Sequence, residues 1–119
     1  MKAYDPAAEA ASWRAKASGL AGRAKAFRQA AKAARSAAGD PAAIEAARAA
    51  EAAAYRASVP AAVARVFPWR PPADWARARL ELEAFRLAGE AARLEASAEA
   101  FRQIARAIEA GPDPAPPEA

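Results

Sequence analysis

Apolar positions in the second half of the chain recur at the spacing of an α-helix. Between residues 80 and 108, large apolar side chains and alanines alternate at intervals of four and three residues, which is the heptad pattern of a coiled coil. The positions are Leu80, Ala84, Leu87, Ala91, Leu94, Ala98, Phe101, Ala105 and Ile108. A similar row lies near the start of the chain: Trp13, Ala17, Leu20, Ala24, Phe27, Ala31, Ala34 and Ala38. The pattern predicts two long helices in which large side chains lie over the alanines of a neighbour.

Two Asp-Pro pairs, at residues 5–6 and 40–41, indicate where helices begin. The aspartate accepts hydrogen bonds from free amides of the first turn, and proline is favoured at the first helical position because it has no N–H to satisfy. A first helix is therefore predicted over residues 6–38, and a second from residue 41 to about residue 58. Gly39 lies between them, where we expect a left-handed residue to close the first helix.

Prolines interrupt the chain between the second helix and the last one. Pro60 removes a helical hydrogen bond, so a kink or a restart is expected, followed by a short helical piece at 59–67. The prolines at 68 and 71 exclude a helix in the connection that follows. Proline is favoured at the first position of a helix, so a last helix is predicted to begin at Pro72 and to cover residues 72–110. It is expected to end at Gly111, the first residue of a Pro-rich tail over 111–119.

Two further apolar rows suggest how the helices assemble. The apolar row predicted for the second helix contains small residues only: Ala43, Ala47, Ala50, Ala54 and Ala57. The last helix carries a second stripe: Ala78, Leu82, Phe85, Gly89, Ala92 and Ala96. A helix with two stripes contacts two neighbours, so the sequence predicts an all-α fold: an elongated antiparallel three-helix bundle in one domain, residues 1–110, with Gly89 permitting a close helix crossing. Alternatively, one stripe faces another protein.

The composition makes the predicted core thin. The chain has 119 residues, of which 44 are Ala, and Leu, Ile, Val and Phe together number only 15. Burial of a larger apolar side chain contributes about 1.5–3 kcal/mol, so the favourable term is small against the entropy lost when a hundred residues become ordered. This balance favours self-association or a stable partner.

Missing residue types restrict the chemistry. The chain contains no His, Cys, Thr or Asn, which excludes thiol catalysis, disulfides and His-based triads and leaves no usual zinc site. Glu95 and Glu99 are a like-charged pair four residues apart, but without His they do not form the metal motif of helical bundles. We therefore predict no enzymatic activity, no cofactor, no metal and no small-molecule substrate.

Basic residues concentrate in the first helix. Residues 10–39 contain seven Lys or Arg and no acid, although the whole chain carries only +4. Five of them fall on one side: Arg14, Lys25, Arg28, Lys32 and Arg35. They predict binding of nucleic acid or of another anionic partner. They also fit attachment to a lipid or granule surface by an opened first helix, with Trp13, Leu20 and Phe27 inserted into that surface. The alternative is a solvated face paired with glutamates of neighbouring helices.

An aromatic group interleaved with prolines is the most distinctive local feature: Phe67, Trp69, Arg70 and Trp75. Tryptophan and arginine dominate binding hot spots, and rigid prolines lower the entropy lost on docking, so these residues are candidates for partner binding. In the alternative interpretation, the tryptophans cap the open end of the bundle. We expect Trp69 to dock a partner and Trp75, in the first turn of the last helix, to cap.

These observations favour a non-enzymatic helical assembly or interaction protein, such as an adaptor, a chaperone or a structural component of a larger complex. No uncharged stretch of the helical part approaches the ~20 residues that span a bilayer, and the first residues lack the apolar core of a secretory signal. We therefore expect a cytoplasmic protein that associates with itself or with a protein partner. A nucleic-acid-binding helical protein is the second hypothesis, and a lipid- or granule-surface protein is the third.

Overall fold

The computed structural model describes residues 3–112, and these are helical with no strand; helix accounts for 86%. Four helices follow one another: α1 (Pro6–Ala38), α2 (Pro41–Ser58), α3 (Ala61–Val66) and α4 (Ala73–Ala110). The all-α class and the bounds predicted for the first two helices are confirmed. The predicted tail residues 113–119 lie outside the described part of the chain.

The two Asp-Pro pairs begin helices as expected. Asp5 Oδ1 accepts a hydrogen bond from the Ala7 amide at 3.0 Å. Asp40 is in an extended conformation, and its Oδ1 accepts from the Ala42 amide at 3.1 Å. Each carboxylate satisfies an amide that has no partner within its helix, which fixes the start of the helix at the following proline.

The corner between α1 and α2 differs from the prediction at Gly39. Among the described residues only Gly111 has a positive φ, so Gly39 does not close α1 in the left-handed conformation. Instead, its amide donates to the Ser36 carbonyl at 3.1 Å, and the Asp40 amide donates to the Ala37 carbonyl at 3.0 Å. These bonds span three residues and tighten the last turn of α1, which satisfies its terminal carbonyls without a left-handed residue.

The proline-rich connection breaks the helix at Pro60 and restarts it. Val59 is extended, and the helix that follows covers six residues rather than the predicted 59–67. α4 begins at Ala73, one residue later than expected. The Pro72 carbonyl accepts the first helical hydrogen bond, from the Ala76 amide, so Pro72 is the N-cap residue and not the first residue of the helix. At the far end, Gly111 has φ +76° and its amide donates to the Ile108 carbonyl. This is the glycine termination that the sequence predicted.

The chain forms two compact units. Unit 1 contains the chain up to Phe27 and from Gly89 onward, and unit 2 contains Arg28–Ala88. In unit 1 the two helical segments run antiparallel, because Trp13 contacts Phe101, with ring centroids 5.1 Å apart, while Ala24 packs with Ala91. The one-domain organisation predicted for residues 1–110 stays a prediction.

The core of unit 1 repeats an alanine at every seventh position. The completely or almost completely buried alanines are Ala10, Ala17 and Ala24 in α1 and Ala91, Ala98 and Ala105 in α4. Leu20 and Phe27 pack against the cluster formed by Ala24, Ala91 and Leu94. The predicted heptad rows of α1 and α4 are therefore confirmed as the inner faces, since every member is buried or half-buried.

In unit 2 the buried face of α2 is not the predicted alanine row. Ile44 and Ala52 are buried. Of the predicted row, Ala43 and Ala47 are half-buried, whereas Ala50, Ala54 and Ala57 are exposed. A helix made largely of alanine offers several equivalent apolar faces, and here the larger side chains Ile44 and Tyr55 decide which one is covered.

The second stripe of α4 lies on the exposed side of the helix, so the prediction that it packs against a second helix is not confirmed. All its members are exposed: Ala78, Leu82, Phe85, Gly89, Ala92 and Ala96. A Cβ atom placed at Gly89 would meet no atom within 4 Å, so no close helix crossing occurs there. The antiparallel three-helix bundle predicted for the chain is not confirmed.

Within residues 3–112, no helix has the length and apolarity that crossing a membrane requires.

Candidate protein-docking surface

Side chains of α2 hold the connection between α3 and α4 in place. The Tyr55 hydroxyl donates to the Phe67 carbonyl at 2.8 Å, and Arg48 Nε donates to the Pro71 carbonyl at 2.7 Å. Arg70 forms an ion pair with Glu45, and Pro71 is fully buried. The irregular segment is thus fixed to α2 at three points, and two of them satisfy backbone carbonyls that accept no bond within a regular helix.

Three aromatic rings form a continuous row on unit 2. The Tyr55 and Trp69 ring centroids are 5.8 Å apart, and those of Trp69 and Trp75 are 5.9 Å apart, each pair meeting edge to face. The Arg79 guanidinium lies 5.2 Å from the Trp75 ring centroid, a cation–π contact. We call Tyr55, Trp69 and Trp75 the aromatic row.

The aromatic row is open to solvent. Trp69 is 43% exposed and Trp75 is 37% exposed, and the nearby Phe67 is 68% exposed. Side chains of this size are usually well covered in a protein without a partner, and clusters of exposed aromatic rings mark interaction surfaces. The same rings also contact one another, so they hold the start of α4 beside the connection. Docking and capping are therefore both compatible with this geometry.

The four residues predicted to bind a partner lie close together, but in different roles. Trp69 and Trp75 are in direct ring contact, Arg70 is engaged by Glu45, and Phe67 is anchored through its carbonyl while its ring projects outward. Three residues of α2 that organise this surface, Tyr55, Arg48 and Glu45, were not among those predicted. Tyr55 is the sole aromatic residue of α2, and that isolation in an alanine-rich helix was the available signal.

A groove between α2 and α4 borders the aromatic row. Its volume is about 440 Å³, and Ala47, Ala76 and Leu80 supply apolar lining, with Trp75 and Leu82 also bordering it. The charged side chains along the groove are Glu51, Arg79, Glu83 and Arg86. Small alanines on facing helices leave this depression, because neither helix provides a side chain large enough to fill it.

The charges beside the groove are paired within the chain. Arg86 Nη2 lies 2.6 Å from Glu83 Oε1, and this hydrogen bond holds the pKa of the Glu83 carboxyl below its ordinary value. Arg79 Nη2 lies 3.8 Å from Glu51 Oε1. The groove is therefore bordered by side chains of both charge signs, and exposed ion pairs of this kind contribute little to folding.

The basic residues of α1 are only partly available for an anionic partner. Arg14 donates two hydrogen bonds to the Glu109 carboxylate, which raises the Arg14 pKa and lowers the Glu109 pKa. Lys25, Lys32 and Arg35 are exposed. Arg28 is also exposed and has an interaction partner of its own. One of the five basic residues predicted to bind an anion, Arg14, is thus paired with a glutamate of another helix, as expected if this side of α1 is a solvated face.

Residues 3–112 contain no group of three or more acidic residues placed to hold a metal ion. The surface of unit 2 instead combines exposed aromatic rings, an apolar groove and mixed charges, which suits recognition of another protein surface. No protein-family model matches the chain, and comparisons with curated proteins and with solved structures likewise give no match.

Proposed function

We propose that the chain is a non-enzymatic interaction protein that binds a protein partner through the aromatic row and the adjoining groove on unit 2. The observation that carries the proposal is the exposure of Trp69 and Phe67 on a segment whose backbone is already fixed to α2. Adaptor, chaperone and structural roles in a larger complex all use such a surface.

Preorganisation is the physical reason why this surface suits binding. A flexible loop loses conformational entropy when it docks, but here Tyr55, Arg48 and Glu45 already restrain the connection in the free chain. A partner that covers Trp69 therefore gains apolar burial with little ordering cost. Tryptophan and arginine side chains in such a position carry a large share of the binding energy in protein interfaces.

The same proposal includes the absence of enzymatic activity. The thin alanine core supports both self-association and a requirement for a partner, because few large side chains contribute to folding. We further propose that α1 is the common neighbour of α2 and α4 in a three-helix bundle. Engineered cysteine pairs, such as Ala31→Cys with Ala84→Cys, test that packing in a chain that has no cysteine of its own.

Substitution of Trp69 tests the docking surface. We expect Trp69→Ala to weaken partner association by ~2 kcal/mol or more and to leave helix content unchanged. The measurement is affinity capture from the native source with wild-type and variant baits, read by mass spectrometry, followed by calorimetric titration of the partner so identified.

Tyr4→Ala is the matched control, since Tyr4 is an exposed aromatic residue of unit 1. It should leave the captured proteins unchanged. Identical sets of captured proteins from wild type and Trp69→Ala, combined with a lower melting temperature of the variant, would assign Trp69 to capping and overturn the docking proposal.

Nucleic-acid binding through α1 is the second candidate function. It is supported by Lys25 and Lys32, which are exposed and have no ion-pair partner within residues 3–112. Release of counterions predicts a log–log salt slope of roughly −0.9 for each phosphate neutralised. Absence of binding to duplex and single-stranded DNA and RNA at low salt would remove this candidate.

Attachment to a lipid or granule surface is the weaker third candidate. The apolar residues that it requires, Trp13, Leu20 and Phe27, are half-buried, and the last two pack against α4 residues in unit 1. Insertion into a lipid surface therefore requires unit 1 to open first. Flotation with anionic liposomes separates this candidate from nucleic-acid binding.

A further inference from the structure

In unit 2, α4 has an apolar face on the side opposite its core. At about 100° per residue, Leu82 lies nearly half a turn away from the half-buried Leu80 and the buried Ala84, and Phe85 lies between a quarter and half a turn from them. Leu82 is 62% exposed and Phe85 is 77% exposed. A helix normally places polar residues on its solvent-exposed side, so a large aromatic and a leucine here need an explanation beyond folding of the chain.

The exposed face follows a heptad of its own. Trp75, Ala78, Leu82 and Phe85 are separated by three, four and three residues, which assigns Trp75 and Leu82 to a positions and Ala78 and Phe85 to d positions. A heptad row is the pattern by which one helix recognises another along its length. The row therefore suits a second helix better than a compact globular partner.

The charges that flank this row specify the orientation of the second helix. The e positions are Arg79 and Arg86, and the g positions are Asp74 and Glu81. In a parallel pair, each g residue lies beside the e residue of the next heptad of its partner, which brings Asp74 to Arg79 and Glu81 to Arg86. An antiparallel pair of identical helices would instead place e beside e, so that arginine meets arginine. The pattern thus fits a second copy of this helix in the parallel orientation.

All four flanking side chains are accessible to a second copy. Glu81 is exposed, and the side chains of Asp74, Arg79 and Arg86 are each more than half exposed. Their present intrachain pairs, such as Arg86 with Glu83, are surface ion pairs that contribute little. They can therefore exchange for contacts across an interface without loss of the fold.

We propose that this face binds the same face of a second copy of the chain, with the two α4 helices parallel and in register. Leu82 and Phe85 form the centre of the interface, and Asp74 and Glu81 pair with Arg79 and Arg86 of the second copy. The inference rests on the proposed interaction function and deepens it, because it names one partner and the geometry of its binding.

A single engineered cysteine tests the register directly, because the chain contains no cysteine. In a parallel, in-register pair, Ala78→Cys lies opposite its own counterpart, so mild oxidation should produce a disulfide-linked dimer. Ala53→Cys, an exposed position on the opposite side of α2 from the buried Ile44, is the matched control and should form no disulfide link between copies. Failure of Ala78→Cys to cross-link above the level of Ala53→Cys would overturn the proposal.

Sedimentation equilibrium of the full chain tests the apolar and the charged contacts separately. Phe85→Ser should weaken dimerisation at least about tenfold, while far-UV circular dichroism shows an unchanged helix content. Arg86→Glu should also weaken dimerisation, because it places two glutamates side by side across the interface. The double variant Glu81→Arg/Arg86→Glu should restore dimerisation, since position 81 of one copy again has the opposite charge to position 86 of the second copy. A wild-type chain that is monomeric at every concentration, or a dimer that Arg86→Glu strengthens, would overturn the parallel pairing.

These experiments distinguish failure of the dimer from failure of the proposed function. If the chain is monomeric but still captures a partner in a Trp69-dependent manner, only the dimer proposal fails. If the dimer forms as described and Trp69→Ala changes nothing, the partner site fails and the dimer stands.

Discussion

Two faces of α4 have similar apolar periodicity but different surroundings. The row containing Leu80, Ala84 and Leu94 is covered by the rest of the chain, whereas the row containing Leu82 and Phe85 faces solvent. Both rows repeat at four- and three-residue intervals. The difference shows that periodicity identifies a face that a helix can bury, and that the partner for this face need not belong to the same chain.

What the small residues of α4 face accounts for part of the difference between the covered and the exposed row. On the inner row, the alanines of α4 meet alanines of α1 in unit 1, so the backbones approach and the large side chains beside them are covered. On the outer row, Ala78 is exposed and no atom lies within 4 Å of a Cβ placed at Gly89. The predictions below compare the two faces, beginning with the largest expected effect.

Removal of a leucine should affect the two faces unequally. Leu94→Ala leaves a cavity beside Ala24 and Ala91 and should lower the free energy of unfolding by ~2–5 kcal/mol. Leu82→Ala, in dilute solution, should change it by no more than about 0.5 kcal/mol, because Leu82 is exposed. Urea denaturation of both variants measures the difference, and similar losses would contradict the assignment of inner and outer faces.

Enlargement of an alanine tests the close approach in unit 1. Ala91 is completely buried, so Ala91→Leu should separate the helices and destabilise the chain by ~1–3 kcal/mol. The adjacent Ala92 is exposed, which makes Ala92→Leu the matched control with little expected change. Thermal melts of the two variants give the comparison, and a neutral Ala91→Leu would mean that the buried row tolerates larger side chains.

Substitution of Gly89 should stabilise the chain. No atom lies within 4 Å of a Cβ placed there, and alanine is favoured over glycine inside a helix, so Gly89→Ala should raise the free energy of unfolding by about 0.5–1 kcal/mol. Chemical denaturation decides the sign. A loss of stability would indicate that a helix of a second copy or of a partner approaches at this position.

Acidification should weaken unit 1 slightly. Hydrogen bonds from Arg14 to Glu109, and from Arg106 and Arg102 to Glu99, hold the pKa values of both carboxyls below their ordinary range. Their contribution is therefore complete above the unfolded pKa of about 4.3 and is lost as pH falls through the lowered folded values. Melting temperatures measured from pH 7 to pH 3 should fall in that window, and less so in Glu109→Gln, which removes one of the groups.

Much of the secondary structure could be predicted from residues near one another in the sequence. Asp40 and its following proline set the start of α2, and Gly111 set the end of α4, because caps depend on interactions within a few residues. The candidate surface was predicted only in part. Trp69 and Trp75 were identified by composition, whereas the role of Tyr55 depends on a hydrogen bond to a residue twelve positions away.

The sequence alone therefore determined that the chain is helical, where its helices begin and end within one or two residues, and which rows of residues are apolar. These properties depend on propensity, capping and period, which act over one or two turns. Only the tertiary structure decided which apolar row is covered, which face of α2 is buried, and that Arg48, Glu45 and Tyr55 fix the aromatic segment. In a chain with so many alanines, several faces of a helix are nearly equivalent, and the few large side chains choose among them only when the helices meet.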